Sequence, residues 1–178
     1  MKLSKKFSLT ALTAITLIIR AALPAHVLAA SSPSVATQWN VQVDEVAPGD
    51  VRIEPAFRIA IYENLLQQLA KTKQFKQVLR TGDRNANGFP DLLILKTTVE
   101  AFTEGSETRR AVTTITGATK LKVRTQLCTR EGQVVLERDL NGNVRFIGNN
   151  LRVTYNLARN VAKTIKDSKL PEPPPPNS

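Results

Sequence analysis

Residues 119–140, "TKLKVRTQLCTREGQVVLERDL", carry two runs of alternating apolar and polar residues on either side of a short turn. In the first run Leu121, Val123 and Leu127 point one way, with lysine and arginine between them, which is typical of a half-buried strand. The turn "TREG", at residues 129–132, contains a glycine, as reversals of the chain often do. The stretch therefore predicts a β-hairpin and makes antiparallel pairing the basis of the fold.

The register of this hairpin can be predicted by placing apolar residues opposite apolar residues and basic residues opposite acidic ones. With Cys128 opposite Gln133, apolar and charged partners are satisfied together: Leu121 with Leu140, Leu127 with Val134, Arg124 with Glu137, and Lys122 with Asp139. The charged pairs would neutralise part of a basic strand. Only 5% of the residues are aromatic, so the strand also lacks the stacking platforms that bases need. A solvated sheet face is therefore predicted, and nucleic-acid binding is disfavoured.

Two elements upstream of the hairpin follow from periodicity. Trp39, Val41 and Val43 alternate with polar residues and indicate a half-buried strand. Apolar residues at four-residue steps predict an amphipathic helix from about Ala56 to Lys73, with Pro55 near its start. The apolar face of this helix would consist of Phe57, Ile61, Leu65 and Leu69.

The rest of the chain completes the predicted architecture. Residues 91–102, "DLLILKTTVEAF", are nearly continuously apolar or β-branched, as in a central strand, and residues 108–116 predict a further strand. A last helix follows residues 147–150, with an apolar face made of Leu151, Thr154, Leu157, Ala158, Val161, Ala162 and Ile165. The order predicts an α+β fold: a mostly antiparallel, twisted sheet of four to five strands with two helices packed on one face.

The N-terminus has the pattern of a secretory signal peptide. Lysines precede an apolar run of 13 residues, Phe7 to Ile19, which is too short to span a bilayer. Small residues then offer a cleavage site near Ala29 or Ala30. The predicted division is a signal peptide over 1–30, a single α+β domain over 31–168, and a disordered proline-rich tail over 169–178. No transmembrane helix is expected in the mature chain.

Composition limits the chemistry of the secreted form. Cleavage would remove four basic residues and no acidic one, so the formal charge of +10 would fall by four to +6. It would also remove His26, the single histidine, which rules out Ser-His-Asp and Cys-His hydrolase sites and histidine-bearing metal sites. The single cysteine, Cys128, excludes an internal disulfide and lies far from the cleavage site. The product is predicted to be periplasmic or secreted, without a lipid anchor, and Cys128 to be a buried structural thiol.

Residues 83–91, "DRNANGFPD", space oxygen-bearing side chains as a calcium loop does. The candidate ligands are Asp83, Asn85, Asn87 and Asp91, with a glycine at the sixth position. The twelfth position is Ile94 rather than a bidentate glutamate, and a strand follows where an EF-hand requires a helix. The alternatives are a weak calcium site and a turn whose Asn and Asp side chains bond their own backbone. No other cofactor is indicated.

From Pro90 to Lys166, about half of the chain, the sequence resembles an uncharacterised family of bacterial envelope proteins, domain-of-unknown-function family 4410. The stretches that carry the resemblance are "PDLLILKTTVEAFTEGSETRR", "TGATKLKVRTQL", "REGQVVLERDLNGNVRF" and "LARNVAKTIK". The resemblance implies a small α/β module of cell-envelope assembly that binds partners and catalyses no reaction. Some members carry a lipid-modified N-terminal cysteine, which this chain lacks, and no functional residues carry over.

Three functions are thus compatible with the sequence. The leading hypothesis is a secreted or periplasmic, non-enzymatic module that binds an unknown envelope protein or polymer through a sheet face, a turn or a strand edge. An edge that paired a second copy would give a homodimer. The alternatives are a weak calcium-binding module and a hydrolase that works through carboxylates alone, drawn from Asp83, Asp91, Glu100 and Glu104.

Overall fold

The structure is a computed structural model that describes residues 38–106, 118–144 and 150–174. These residues all belong to one compact unit. Their strands are β1 (Asn40–Val43), β2 (Val78–Arg80), β3 (Leu92–Thr103), β4 (Thr119–Thr129) and β5 (Val134–Val144). Their long helices are α1 (Pro55–Thr72) and α2 (Arg152–Asp167), and a short 3₁₀ helix spans Arg84–Gly88.

The five strands form one mixed sheet in the order β2-β1-β3-β4-β5. β3, β4 and β5 are antiparallel, whereas β1 runs parallel to both of its neighbours. The parallel pair β1–β2 is joined by α1, because parallel strands need a long crossover. The predicted α+β class, with a mainly antiparallel sheet and two helices, is confirmed. β2 was not predicted, since its three residues, "VLR", are too few to show a period.

The two helices cover one face of the sheet and bury the apolar faces that periodicity predicted. In α1 the side chains of Phe57, Ile61, Leu65 and Leu69 are all buried. In α2 the buried face begins at Val153 and not at Leu151, which is 42% exposed. The helices contact the inward residues of the strands, including Val41, Leu93, Val99, Val123 and Leu127, in a single core.

A glycine lets α2 approach the sheet closely. A Cβ atom on Gly142 of β5 would lie 2.6 Å from the carbonyl oxygen of Val153 and 2.8 Å from Cβ of Leu157. Cβ atoms do not come this close to other atoms, so any larger residue would push the helix away. Gly142 therefore sets the distance at which α2 packs on β5.

The β4–β5 hairpin forms as predicted but in a different register. Arg124 pairs with Asp139 and Leu121 with Gly142, two residues beyond their predicted partners, and a bulge between Leu127 and Cys128 absorbs part of the offset. A shift of two residues leaves the side chains from Leu121 to Leu127 on their predicted face, because the period of a strand is two. Val134, predicted opposite Leu127, instead pairs with Cys128 beyond the bulge and is exposed. Cys128 is buried and free, as predicted.

The C-terminal segment after α2 lies against the domain. The indole N–H of Trp39 donates a 2.7 Å hydrogen bond to the carbonyl oxygen of Pro171. Leu170 is partly buried against the core, and Pro173 is buried. The sequence predicted a disordered tail from residue 169, and the structure differs over residues 170–173, because the segment finds an aromatic donor 132 positions away.

Several predictions concern residues outside the described ranges. The signal peptide at 1–30, the strand at 108–116 and the last residues of the tail, 175–178, belong to this group. Within the described part of the chain, neither helix combines the length and the apolar character that a bilayer-spanning helix needs.

Candidate functional site

The segment from Asp83 to Asp91 forms a turn in which a carboxylate bonds its own backbone. One carboxylate oxygen of Asp83 accepts a 2.9 Å hydrogen bond from the amide of Asn85 and so caps the 3₁₀ helix. The amide of Ala86 donates to the carbonyl of Asp83, and the amide of Phe89 to the carbonyl of Ala86. The local bonding is therefore that of the self-capped turn, the alternative to a calcium loop.

Arg130, from the β4–β5 turn, inserts a positive charge at this segment. Its guanidinium donates to the carbonyl oxygens of Ala86 and, at 3.1 Å, of Phe89. Phe89 occupies the seventh position counted from Asp83, which supplies a backbone carbonyl ligand in a calcium loop. Among the described residues, no three His, Cys, Asp or Glu side chains come together in a metal-binding group. The calcium site at Asp83, Asn85, Asn87 and Asp91 stays a prediction.

Of the four candidate carboxylates of a hydrolase, Asp91 lies far along β3 from Glu100 and Glu104. Glu100 is in β3, nine residues after Asp91, so roughly 30 Å separates them along an extended strand. A glycosidase pair needs a separation of about 5–10 Å. Glu104 accepts a 3.1 Å hydrogen bond from the side-chain amide of Asn150, and Asp83 caps the 3₁₀ helix. The structure thus does not bring Asp91 together with Glu100 or Glu104.

The sheet face away from the helices carries a network of ion pairs. The ammonium of Lys122 lies 2.6 Å from a carboxylate oxygen of Glu100 and 2.8 Å from one of Asp139. Arg124 lies 3.0 Å from Glu100 and 3.6 Å from both Glu137 and Asp139. Two cations therefore share three carboxylates, and this part of the basic strand is neutralised by its neighbours, as the hairpin pattern predicted.

These contacts shift the pKa values of the groups involved. The pKa of Lys122 is raised, first by its hydrogen bond with Asp139 and then by the one with Glu100. The pKa of Asp139 is lowered, mainly by the hydrogen bond from Lys122. The protonated form of Lys122 and the ionised form of Asp139 are thus both favoured near neutral pH. Lys122 and Arg124 consequently offer little charge to an added polyanion, because both already have carboxylate partners.

Side chains bond backbone carbonyls of β5, which lies at one edge of the sheet formed by the described residues. The side-chain amide of Asn156 on α2 donates to the carbonyl oxygen of Asn143 at 2.9 Å, and that of Asn160 donates to the carbonyl of Asn141 at 2.7 Å. Arg138 donates to the carbonyl oxygen of Glu137 at 2.7 Å. Edge strands recruit other strands through unpaired backbone groups. Three carbonyls of this edge are occupied, so pairing of a second copy here is hindered.

An apolar patch with a charged rim lies on α1, at the ends of β1 and β2. Pro55, Ile59 and Tyr62 recur at helical spacing on one side of α1, and we call them the α1 patch. They line a cavity of about 370 Å³ whose wall also includes Glu45, Val46, Arg58, Glu63 and Thr81. Ile59 is 61% exposed, the most among the large apolar side chains that the structure describes.

Polar contacts fix the rim of the α1 patch. The two guanidinium nitrogens of Arg80 donate to both carboxylate oxygens of Glu63, at 2.6 and 2.7 Å. This bidentate pair lowers the pKa of Glu63. The Arg80 guanidinium also lies 5.7 Å from the ring centre of Tyr62, whose hydroxyl accepts a hydrogen bond from the amide of Thr81. Tyr62 and Glu63 are therefore held in place, while Ile59 projects from the helix.

The sequence did not single out the α1 patch or the contact between Trp39 and Pro171. Ile59 lies outside the predicted buried face of α1. A large apolar residue at a position that should face solvent was the signal in the sequence that could have identified the α1 patch. The wall of the cavity comes from α1 and from the residues that follow β1 and β2, so their proximity depends on the parallel pairing that was not predicted.

Comparison with known proteins shows the fold. No family model matches the chain, and no curated protein matches it. The structure is similar to that of PelC from Paraburkholderia phytofirmans, a dodecamer, with a TM-score of 0.58 and 15% identity, covering 77% of this chain and 94% of that chain. It is also similar to the hypothetical protein CT253 from Chlamydia trachomatis, with a TM-score of 0.53 and 8% identity, covering 73% of this chain and 96% of that chain.

At such low identity these likenesses show the fold alone. The sheet and helix arrangement of this chain is therefore one that solved bacterial proteins also adopt. The resemblance to family 4410 stays a prediction, since no family model matches.

Proposed function

We propose that the protein is a secreted, non-enzymatic module of the bacterial cell envelope that assembles by binding further copies of itself. The observation that carries the proposal is the α1 patch, in which an exposed Ile59 stands beside a cavity with a charged rim. An apolar centre within a polar rim is the usual anatomy of a protein interface. The rim contains both acidic and basic side chains, so a second copy offers complementary charges.

Three further observations support this proposal. PelC, whose fold is similar, forms a dodecamer. The N-terminal lysines and apolar run predict export, and the resemblance to family 4410 implies an envelope module. None of the three concerns an activity on a small molecule, and each agrees with a protein that works by association.

The other surfaces favour the α1 patch as the interface. The β5 edge has three carbonyls bonded by side chains, and on the charged face Lys122 and Arg124 are paired with carboxylates. The opposite edge, β2, is only three residues long. A short or blocked edge gives a second strand little to pair with. A homodimer through a strand edge is accordingly the weaker form of the proposal.

Light scattering coupled to size exclusion tests the proposal directly. We expect the full chain to have a mass that is a multiple of one chain and to dissociate on dilution. Ile59→Asp should weaken association at least about tenfold, because a charge at the centre of an interface removes a buried apolar contact.

Val134→Asp is the matched control. Val134 is also an exposed apolar residue, at 45%, but it lies at the start of β5 and away from the α1 patch. Val134→Asp should leave the mass of the assembly unchanged. A wild-type chain that stays monomeric at all concentrations would refute the proposal, and equal effects of the two substitutions would refute the α1 patch as the interface.

A further inference from the structure

The C-terminal segment meets the domain in a groove built around Trp39. Gln38, Trp39 and Gln74 form one side of the groove, and residues 170–173 form the other side. Trp39 is only 8% exposed, and its indole N–H donates to the Pro171 carbonyl at 2.7 Å. The segment thus accepts a hydrogen bond from Trp39 and packs Leu170 against the apolar core to which Trp39 belongs.

The chemistry of the contact is that of polyproline recognition. Proline has no N–H, so a proline-rich segment offers carbonyl oxygens as acceptors and needs donors from its binding site. Grooves that bind such segments are lined by aromatic side chains and use the preformed polyproline II helix. Ser168, which leads into the segment, has φ −83° and ψ 147°, close to polyproline II values. Pro171 and Pro173 line the groove from the side of the tail, and Pro173 is buried.

We infer that the groove around Trp39 is a polyproline-binding site, that the chain fills it with its own tail, and that the tail of a second copy takes the same place when copies associate. The inference rests on the proposed self-assembly. An identical segment from another copy makes the same contacts. Exchange of the tails therefore changes only the linker between the tail and the domain, and domain swapping costs little free energy. That connection is Ser168 and Lys169, at the end of α2.

The test uses a fluorescent peptide with the sequence of residues 169–178, "KLPEPPPPNS", titrated into the full chain while its anisotropy is measured. In the wild-type chain the attached tail competes with the peptide. In Pro173→Asp the attached tail should leave the groove, because a carboxylate replaces a buried ring. The peptide should then bind at least about tenfold more tightly, since the attached competitor has a millimolar effective concentration.

A second substitution examines the donor itself. Trp39→Phe, made in the Pro173→Asp chain, keeps an aromatic ring and removes the N–H. It should weaken peptide binding by about fivefold, the value of one neutral hydrogen bond. Trp39 is the single tryptophan of the chain, so its emission in the Pro173→Asp chain should also shift to shorter wavelength when the peptide binds. A melting curve verifies that each variant is folded.

Failure of the peptide to bind the Pro173→Asp chain would overturn the inference, as would equal binding after Trp39→Phe. The masses of the same samples separate this result from the proposed assembly. Peptide binding by a chain that is always monomeric would support the groove and overturn exchange between copies. A stable assembly with no peptide binding would leave the proposed function standing and remove the inference.

Discussion

The guanidinium of Arg130 donates a 3.1 Å hydrogen bond to the backbone carbonyl of Phe89, and it also donates to the carbonyl of Ala86. A side chain from the β4–β5 turn thereby anchors the turn between β2 and β3. It also places a positive charge beside a carbonyl that a calcium ion would need as a ligand.

Calcium is accordingly expected to leave the melting temperature unchanged. A second cation next to Arg130 would be repelled, and the Asp83 carboxylate already bonds the amide of Asn85. Asp83→Ala should lower stability by about 1 kcal/mol with or without calcium, because the cap is lost. Thermal melts in millimolar calcium and in chelator are the measurement. A calcium-dependent rise in the wild-type melting temperature, absent from Asp83→Ala, would instead establish the metal site.

Gly142→Ala should destabilise the fold by about 1–3 kcal/mol, the usual cost of overpacking. The added methyl group would meet the carbonyl oxygen of Val153 at 2.6 Å. Gly88→Ala is the matched control, since a Cβ there meets no atom within 4 Å, and it should change stability by less than about 0.5 kcal/mol. Denaturant midpoints measure both variants. A midpoint for Gly142→Ala equal to that of the control would show that α2 does not pack this closely.

Stability should fall in acid partly through Asp139. Its pKa is lower in the folded chain than its ordinary value, mainly because of Lys122. Such a carboxylate contributes stability above the ordinary carboxyl range and loses it as the pH falls through the lowered pKa. The melting temperature should therefore drop below about pH 4, and Asp139→Asn should flatten part of that drop. The effect should shrink in high salt, because the pair is exposed. Identical pH profiles for the two proteins would contradict this role.

Removal of the amides that cover the β5 edge should increase association. The double variant Asn156→Ala, Asn160→Ala would expose the carbonyls of Asn143 and Asn141 to other chains. We expect more aggregate during incubation, measured by turbidity and light scattering. Arg159→Ala, an exposed change on the same helix, should behave like the wild type. Absence of any difference between the double variant and this control would mean that the two amides do not protect the edge.

Residue patterns predicted the faces of the elements more reliably than their partners. The four-residue steps in α1 identified its buried side, since a helix turns at a nearly constant angle along any sequence. The alternation in β4 and β5 likewise identified the charged face. It did not identify the register, because a slip of two residues keeps each side chain on its face and moves Arg124 from Glu137 to Asp139.

The candidate sites were predicted only where they are local. The turn at residues 83–91 was recognised because its hydrogen bonds join neighbours, such as Asp83 and Asn85. The contact of this turn with Arg130 was not predicted, because the two segments are more than 40 residues apart in sequence. The cavity beside the α1 patch likewise depends on three segments of the chain that are separate in sequence.

The sequence by itself determined the fold class, the faces that are buried, and the absence of histidine chemistry from the predicted secreted form. These follow from residue types and from periods of two and 3.6 residues, which are properties of the backbone. Tertiary structure alone decided the parallel pairing of β1, the hydrogen bonds from α2 to the β5 edge, and the hydrogen bond between Trp39 and the tail. Each of these joins groups that are remote in sequence, and their energies depend on a packing that no local pattern encodes.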